Sequence, residues 1–273
     1  MNPRPRPHRG RIPRATTFAV LILAVVAPAC ATLGIGGINL ISIEEEWEMG
    51  RQFEVELAQE LPLSNDPAVN EYVERIGRLL VSQTEMADLD WRFFVVEEPE
   101  VNAFNVPGGL VYVYSGLIRE AGSAAELVGV IGHELGHGIA RHGTERLSRQ
   151  YGLAVLAQAV LGEDPGLIQQ IVAEIVAVGA ISQFSRSQEF EADEIGVHLM
   201  SGGGYHPQGM VALLERLLEL REREPGAVER FFATHPDVSD RIDRVEDQIG
   251  AFEELAGLRM DDDQFRTIQE RLQ

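Results

Sequence analysis

The sequence predicts an α+β domain that is predominantly helical and contains one small β-sheet. Apolar residues recur at helical spacing along most of the chain, whereas two short segments, 91–96 and 110–114, are aromatic and β-branched. Capping-box patterns that begin at Ser123 and Ser185 mark the starts of two helices. With 273 residues, the chain is long enough for one sizeable domain with its own core.

The first 29 residues have the pattern of a secretory signal peptide. Residues 4–14 contain five arginines and no acid, an apolar run extends from about Phe18 to Val26, and Ala27-Pro28-Ala29 forms a small-residue cleavage site. The apolar run is shorter than the ~20 residues that a membrane-spanning helix needs. We therefore expect residues 1–29 to be removed.

Cys30 is the only cysteine and follows the small residues directly. This arrangement resembles a bacterial lipoprotein box, although Ala27 stands where that box usually has leucine. We expect a lipidated Cys30 that holds the chain to a membrane of the bacterial envelope, facing the periplasm. Plain cleavage after Ala29 is one alternative, and an uncleaved anchor or an incidental cysteine is another. The predicted divisions are a signal peptide (1–29), a tether (30–43), the main domain (44–250) and a C-terminal helical tail (251–273).

The charge balance excludes one class of partner. Five of the 23 basic residues lie within the signal peptide, so 18 remain against 43 acids and the processed chain has a net charge of −25. Such a surface repels phosphate backbones, so we expect no nucleic-acid binding. It also disfavours electrostatic docking on anionic lipid.

The first half of the main domain is predicted as two helices followed by two strands. One helix should span 44–61, and Asp66-Pro67 supplies an N-cap and a first-turn proline for the next. The strands over 91–96 and 110–114 are separated by a turn at Pro107-Gly108-Gly109.

The second half is predicted to be helical. The helix after Ser123 should extend to about His142, and a further helix follows Ser185. Residues 150–182 contain two apolar helices broken near 162–165 and interrupted by glutamines. We interpret them as packed helices or as a partly exposed apolar surface for a membrane or a partner.

A His-Glu-x-x-His motif lies in the helix after Ser123. His133 and His137 are four residues apart and share a face, so both rings can reach one metal ion. Glu134 projects beside that ion, which suits a general base acting on a metal-bound water. The neighbouring residues are apolar or glycine, which predicts a zincin-like helix in a dry setting.

Two histidines are not a complete site, and His142 is the nearest candidate for a third ligand. It lies about 140° around the helix from His137, so it cannot share the ion. We expect His142 to act as a C-terminal cap beside Gly143.

The helix after Ser185 offers two glutamates on different faces. Glu189 shares its face with Asp193 and Gly196, whereas Glu191 lies on a uniformly polar face that should meet solvent. Glu189 is therefore the predicted third ligand. Asp193 could hydrogen-bond the outer nitrogen of a ligating histidine, and Gly196 would let the two helices pack closely.

Four blocks of sequence carry a family resemblance. They are Asn102-Ala103-Phe104 with Pro107-Gly108-Gly109, Gly132 to Gly143, Ser185-Arg186 with Glu189 to Asp193 and Gly196, and Thr234-His235-Pro236 with Arg241-Ile242. The chain resembles the gluzincin metallopeptidases of the HtpX and CAAX-protease type, metallopeptidase family forty-eight, and is most similar to soluble members of the bacterial envelope. It lacks the membrane-spanning helices that HtpX and the CAAX proteases have between the zinc-binding blocks, which makes prenylated substrates improbable.

The resemblance implies one Zn²⁺ per chain on His133, His137 and Glu189, with Glu134 as general base and Asp193 supporting a ligand. It also implies a sheet edge beside the cleft, formed by residues 102–114, on which an extended peptide could add as a further strand. The expected activity is endopeptidase cleavage of misfolded or envelope proteins in protein quality control.

His235 cannot be placed by spacing and could be an ordinary loop residue. In the family context it would lie near the open zinc position. It could donate a hydrogen bond to the tetrahedral oxyanion or ligate zinc as a reversible plug. A plugged site would also fit a different function, that of a chaperone-like assembly factor in the envelope.

Overall fold

The computed structural model describes residues 39, 41–162, 164–179, 183–252 and 254–273. The predicted signal peptide and Cys30 lie outside the described residues. Residues Asn39–Gln273 form one compact unit. No helix in the described part of the chain is both long and apolar enough to span a membrane.

Twelve α-helices and three strands make up the described fold. The helices are α1 (Ile43–Glu60), α2 (Pro67–Val81), α3 (Ser115–Glu120), α4 (Ala124–Ile139), α5 (His142–Tyr151), α6 (Leu153–Val160), α7 (Pro165–Val178), α8 (Arg186–Gly202), α9 (Gln208–Arg223), α10 (Glu229–Thr234), α11 (Val238–Gly250) and α12 (Phe265–Arg271). The strands are β1 (Arg92–Val96), β2 (Ala103–Val106) and β3 (Leu110–Tyr114). The prediction of a mostly helical α+β fold with one small sheet is confirmed.

Several helices begin where local capping chemistry places them. Asp66 accepts hydrogen bonds from the first-turn N–H groups of α2, and Pro67 follows at the first helical position. Ser123 caps α4 through the N–H of Glu126. Ser185 forms a reciprocal capping box at the start of α8. These three starts agree with the sequence predictions.

The sheet is mixed, with strand order β1-β3-β2. β1 and β3 pair in parallel, with Val95 opposite Val113, whereas β2 and β3 form an antiparallel hairpin. The hairpin turn uses Gly108 and Gly109, which have φ angles of 92° and 75° that favour glycine. β2 is therefore an antiparallel edge strand on the side of the sheet that borders α4.

The core lies on both faces of the sheet. One cluster includes the side chains of Val111 and Val113 together with α2, α4, α8, α9 and α11. The other includes Phe104 and Tyr112 with residues of α1, α6 and α7. Alternating strand residues thus serve two apolar layers, as the period of two requires. The two predicted apolar helices of 150–182 are observed as α6 and α7, which contribute to the second layer.

The C-terminal end of α4 differs from the prediction. The helix stops at Ile139 rather than near His142, because Arg141 adopts a left-handed conformation with φ 57°. The Arg141 guanidinium donates to the buried carboxylate of Glu46 and to the Ile41 carbonyl, which fixes this turn. The predicted C-terminal cap at His142 is wrong, since His142 begins α5.

Residues 251–273, predicted as a helical tail, contain one described α-helix, α12. Phe265 at its start is fully buried against Tyr72 of α2. The Gln269 side chain donates to the carbonyls of Ile118 and Ala121, so the tail packs on the domain.

Candidate metal centre

α4 presents two imidazoles to one point. His133 and His137 lie one turn apart, both are buried, and their Nε2 atoms are 3.1 Å apart. The rings are nearly perpendicular, with centroids separated by 4.6 Å. This convergence follows from the four-residue spacing on a regular helix.

Glu189 reaches the same point from the first turn of α8. Its carboxylate oxygens lie 3.3 Å from His137 Nε2 and 3.6 Å from His133 Nε2, and the residue is fully buried. The prediction placed Glu189 on the face of α8 that meets α4, and the structure has it there. Glu191, on the other face, is exposed as predicted.

Glycines permit this close approach of α4 and α8. A Cβ at Gly136 would lie 2.5 Å from the Ala192 carbonyl oxygen, which no side chain can tolerate. A Cβ at Gly132 would lie 3.3 Å from Gly196 Cα. A wider helix spacing would withdraw Glu189 from the imidazoles, so the small residues are part of the site.

His235 completes the cluster from a different part of the chain. It follows α10 directly and is fully buried, with Nδ1 3.2 Å from both His133 Nε2 and Glu189 Oε1. The ligand atoms of His133, His137, Glu189 and His235 all lie within 4.8 Å of one another. No other group of this kind occurs among the described residues.

Glu134 lies beside the cluster rather than within it. Its Oε1 is 3.5 Å from His235 Nε2. The residue is buried, and neither carboxylate oxygen accepts a hydrogen bond from any residue that the structure describes. A buried carboxylate in this condition is costly unless it serves a ligand or a reaction.

The outer nitrogen of His133 is held by a buried ion pair. His133 Nδ1–H donates to Asp193 Oδ1 at 2.8 Å, so the Nε2 of a neutral ring presents its lone pair to the cluster. Arg241 of α11 donates to both Asp193 oxygens at 2.7 Å and lies 2.8 Å from Glu189. One guanidinium thus orients both a ring support and a carboxylate of the cluster.

The outer nitrogen of His137 meets another imidazole. His142 at the start of α5 is buried, and its Nδ1 lies 2.9 Å from His137 Nδ1. On the other face of His137, the Phe184 ring is stacked at a centroid distance of 3.9 Å. Both contacts restrict rotation of the His137 ring.

The donor set fits a divalent transition metal. Two neutral imidazoles and a carboxylate are the ligands that such ions take in proteins, and buried nitrogens 3.1 Å apart need a proton or a cation between them. The outer partners on both rings are the kind of support that ligating histidines usually have. The residues present therefore fit a bound metal.

Comparison with known proteins agrees with this chemistry. The model of Peptidase family M48 matches residues 67–249, about two thirds of the chain. The chain belongs to peptidase family M48. The sequence resemblance to this family is thereby confirmed, and the chain has an intact-looking His133, His137 and Glu189 site that could hold a metal.

Several characterised M48 relatives are distant. The chain is 28% identical over 258 residues to the Beta-barrel assembly-enhancing protease of Escherichia coli K12, covering 84% of this chain and 50% of that protein. It is 32% identical over 178 residues to the mitochondrial metalloendopeptidase OMA1 of Schizosaccharomyces pombe, covering 64% and 52%. Metalloprotease YcaL of Escherichia coli K12 is 29% identical over 181 residues, covering 65% and 68%. The chain spans about half the length of the first two relatives.

Burial and charge tune the groups of this M48 site. Burial raises the pKa of Glu134 to about 7, despite the opposing charge of His235. Burial also holds the pKa of His137 well below its ordinary value. Burial alone would raise the pKa of Glu189, but His235 and Arg241 lower it well below its ordinary value. His137 is therefore neutral and Glu189 ionised, the protonation states that metal ligands require.

Three contacts of the M48 site were not predicted from the sequence. Arg241 appeared only as part of a family block, His142 was assigned to a helix end, and Phe184 was not considered. A buried arginine that pairs with Asp193 has no local signature, because 48 residues separate the two. The signal for His142 was its neighbour Gly143, which suggested a helix end when the chain instead turns at Arg141.

Proposed function

We propose that this chain is a zinc-dependent endopeptidase with Glu134 as general base. The observation that carries the proposal is the convergence of His133, His137 and Glu189 beside the buried carboxylate of Glu134, whose Oε1 lies 3.5 Å from His235 Nε2. Three protein ligands from His and Glu, with a position left for a reactant, are the donor set of catalytic zinc sites. Zinc, when bound, supplies Lewis-acid polarisation of a carbonyl and activation of water.

The pKa of Glu134 suits proton transfer at neutral pH. At about 7, the carboxylate can take a proton from an attacking water and later deliver it to the leaving amine nitrogen. Its carboxylate lies beside the cluster, with the nearest imidazole nitrogen, His235 Nε2, 3.5 Å from Oε1. Glu134→Gln keeps the shape of the side chain and removes this function.

The edge strand β2 is the proposed binding surface for the substrate backbone. It pairs with β3 on one side, and its other side borders α4, where a Cβ at Gly138 would touch the Asn105 side chain. An extended peptide could add to this edge through main-chain hydrogen bonds. Such binding reads few side chains, which supports a preference for unfolded or misfolded polypeptides over one sequence.

His235 is proposed as a reversible fourth ligand. Its Nδ1 lies 3.2 Å from Glu189 Oε1, and its ligand atom is within 4.8 Å of those of His133 and His137. This position favours ligation over oxyanion support. A site plugged in this way would need His235 to withdraw before a peptide carbonyl could enter. If so, His235→Ala should raise peptidase activity; loss of activity would favour oxyanion support, and no change would discard both roles.

The proposed setting is the bacterial envelope. A relative that covers 84% of this chain is named for enhancing β-barrel assembly, which supports envelope proteins as substrates. The signal-like residues 1–29 and Cys30 support a periplasm-facing chain held to a membrane by lipid. A plugged site without turnover would correspond to the alternative, a chaperone-like assembly factor.

The decisive experiment compares wild type with Glu134→Gln on unfolded envelope proteins. Cleavage products are identified by mass spectrometry, with zinc content measured in the same samples. We expect wild type to cleave only when zinc is present, and Glu134→Gln to bind zinc without cleaving. Full biological function in Glu134→Gln would favour the assembly factor, and loss of zinc in that variant would contradict the assigned roles.

A further inference from the structure

His142 is a buried imidazole that the proposed chemistry does not use. It lies at the first position of α5, its Nδ1 is 2.9 Å from His137 Nδ1, and its Nε2 is 3.4 Å from Glu191 Oε2. It is not one of the four residues whose ligand atoms converge. His142 therefore contacts His137 at Nδ1, the ring nitrogen that points away from the cluster.

His137, His142 and Glu191 form a hydrogen-bonded series that allows one consistent arrangement of protons. The Glu191 carboxylate can only accept, so His142 Nε2–H donates to it. A neutral His142 then carries a lone pair on Nδ1, which accepts from His137 Nδ1–H. The lone pair of His137 is consequently on Nε2, the atom that faces Glu189 at 3.3 Å.

The opposite arrangement would disable the ligand. If Nδ1 of His142 carried the hydrogen, it would donate to His137 Nδ1. The hydrogen of a neutral His137 would then be on Nε2 and point into the cluster. The partner of the outer nitrogen thus decides whether this ring can bind a metal.

We propose that His142 is a positioning residue that fixes the tautomer and the ring orientation of His137, with Glu191 in turn fixing His142. This inference rests on the proposed zinc function. It assigns to His142 and Glu191 together the support that Asp193 gives to His133.

The backbone has a feature that places His142 for this contact. Arg141 adopts the left-handed conformation that asparagine and glycine prefer, and its guanidinium is held by Glu46 and the Ile41 carbonyl. The turn ends α4 and brings the first residue of α5 back against His137 of the preceding helix. An uninterrupted helix would place His142 about 140° away from His137.

The test compares variants that keep or remove the acceptor. His142→Asn retains an oxygen near the position of Nδ1, His142→Phe fills the space without an acceptor, and Glu194→Gln is an exposed control on the same helix as Glu191. Zinc affinity is measured by competition with a chelating dye. We expect a loss of about 10–100-fold for His142→Phe, a loss below about threefold for His142→Asn, and no change for Glu194→Gln.

A second measurement separates positioning from packing and does not need zinc. Side-chain ¹⁵N NMR of the metal-free wild type reports which nitrogen of His137 carries the hydrogen. We expect Nδ1–H in wild type and in His142→Asn, and a mixture of tautomers in His142→Phe. This readout decides the inference even where His142→Phe fails to fold.

Two results would overturn the inference: Nε2–H on His137 in the wild type, or equal zinc affinity in wild type and folded His142→Phe. Failure of the proposed function has a different signature. In that case the wild type binds no zinc or cleaves nothing, while the tautomer measurement still gives its own answer.

Discussion

The two imidazoles on α4 have outer supports of opposite character. His133 donates to Asp193, whose charge is neutralised by the fully buried Arg241. His137 contacts the uncharged His142, which in turn contacts Glu191, whose side chain is 58% exposed. The His133 ring is thus held by a buried charge network, Asp193 with Arg241. The His137 ring is held by a hydrogen-bonded relay, His142 with Glu191, that reaches solvent. The first should be costly to break, whereas the second should be easier to perturb.

The largest effect should follow from removing the cation of the buried network. Arg241→Met leaves Asp193 and Glu189 buried without their partner, which should lower the free energy of unfolding by about 3–5 kcal/mol. The measurement is urea denaturation of the metal-free protein.

Arg244→Met is the matched control, since Arg244 lies one turn on along α11, is exposed and packs over the ring of Phe190. It should cost no more than about 1 kcal/mol. Comparable losses in the two variants would mean that the buried ion pairs of Arg241 contribute no more to the free energy of unfolding than a surface arginine does.

The next effect sharpens the comparison at the level of metal binding. Asp193→Asn removes the charge behind His133 and also leaves Arg241 without one counter-ion, so zinc affinity should fall about 10–100-fold. Glu191→Gln removes a charge that solvent already screens and should reduce affinity only a few-fold, about threefold. The dye-competition titration ranks the two. Equal losses would show that the exposed end of the relay matters as much as the buried pair.

The α4–α8 distance should be more sensitive to an added side chain beside His137 than beside His133. Gly136, next to His137, faces the Ala192 carbonyl, whereas Gly132, next to His133, faces Gly196. Gly136→Ala should destabilise the protein by about 1–3 kcal/mol and weaken zinc binding, because α8 must move and carry Glu189 with it. Thermal denaturation and the same titration measure both effects.

Gly132→Ala should be close to neutral. Its Cβ would meet Gly196 Cα at 3.3 Å, a tight contact, while alanine improves helix propensity by up to about 1 kcal/mol. A loss for Gly132→Ala as large as that for Gly136→Ala would show that the α4–α8 distance is equally critical along its whole length.

What the sequence predicts well is what local chemistry determines. Ser123 and Ser185 mark the starts of the two helices that matter most, and four-residue spacing alone brings His133 and His137 to one face. Selecting Glu189 over Glu191 needed only helical geometry. These inferences use contacts within one helix or one turn.

What the sequence does not predict depends on contacts between distant segments. The buried position of Arg241 requires α11 to pack against α8. Until that packing is known, a charged residue on a helix is predicted to be exposed. The turn at Arg141 uses a non-glycine residue in a left-handed conformation, stabilised by Glu46 from α1. Neither partner is near in sequence, so neither contact could be inferred from a local pattern.

A third carboxylate, the half-buried Asp262, extends the comparison to a case whose nearest recorded cation is the exposed Arg75, 4.0 Å away. Asp262 accepts hydrogen bonds from the hydroxyls of Tyr72 and Tyr205 and from the N–H groups of Gln264 and Phe265. Burial alone would raise the pKa of Asp262, but these donors lower it below the ordinary value of 3.8. Hydroxyl and amide dipoles here perform the role that Arg241 performs for Asp193.

The sign of the resulting pH dependence is fixed by that lowered pKa. Because the folded protein holds Asp262 ionised more strongly than the unfolded chain does, its contribution to stability is fully present above about pH 5 and is lost as the pH falls through the unfolded and then the folded pKa. The stability difference between wild type and Asp262→Asn, from urea titrations between pH 3 and 7, should therefore be constant above about pH 5 and shrink below pH 4. Asp263→Asn, at the exposed neighbouring position, should show no such narrowing. A difference that grows on acidification would mean that the dipoles around Asp262 do not favour its charged form.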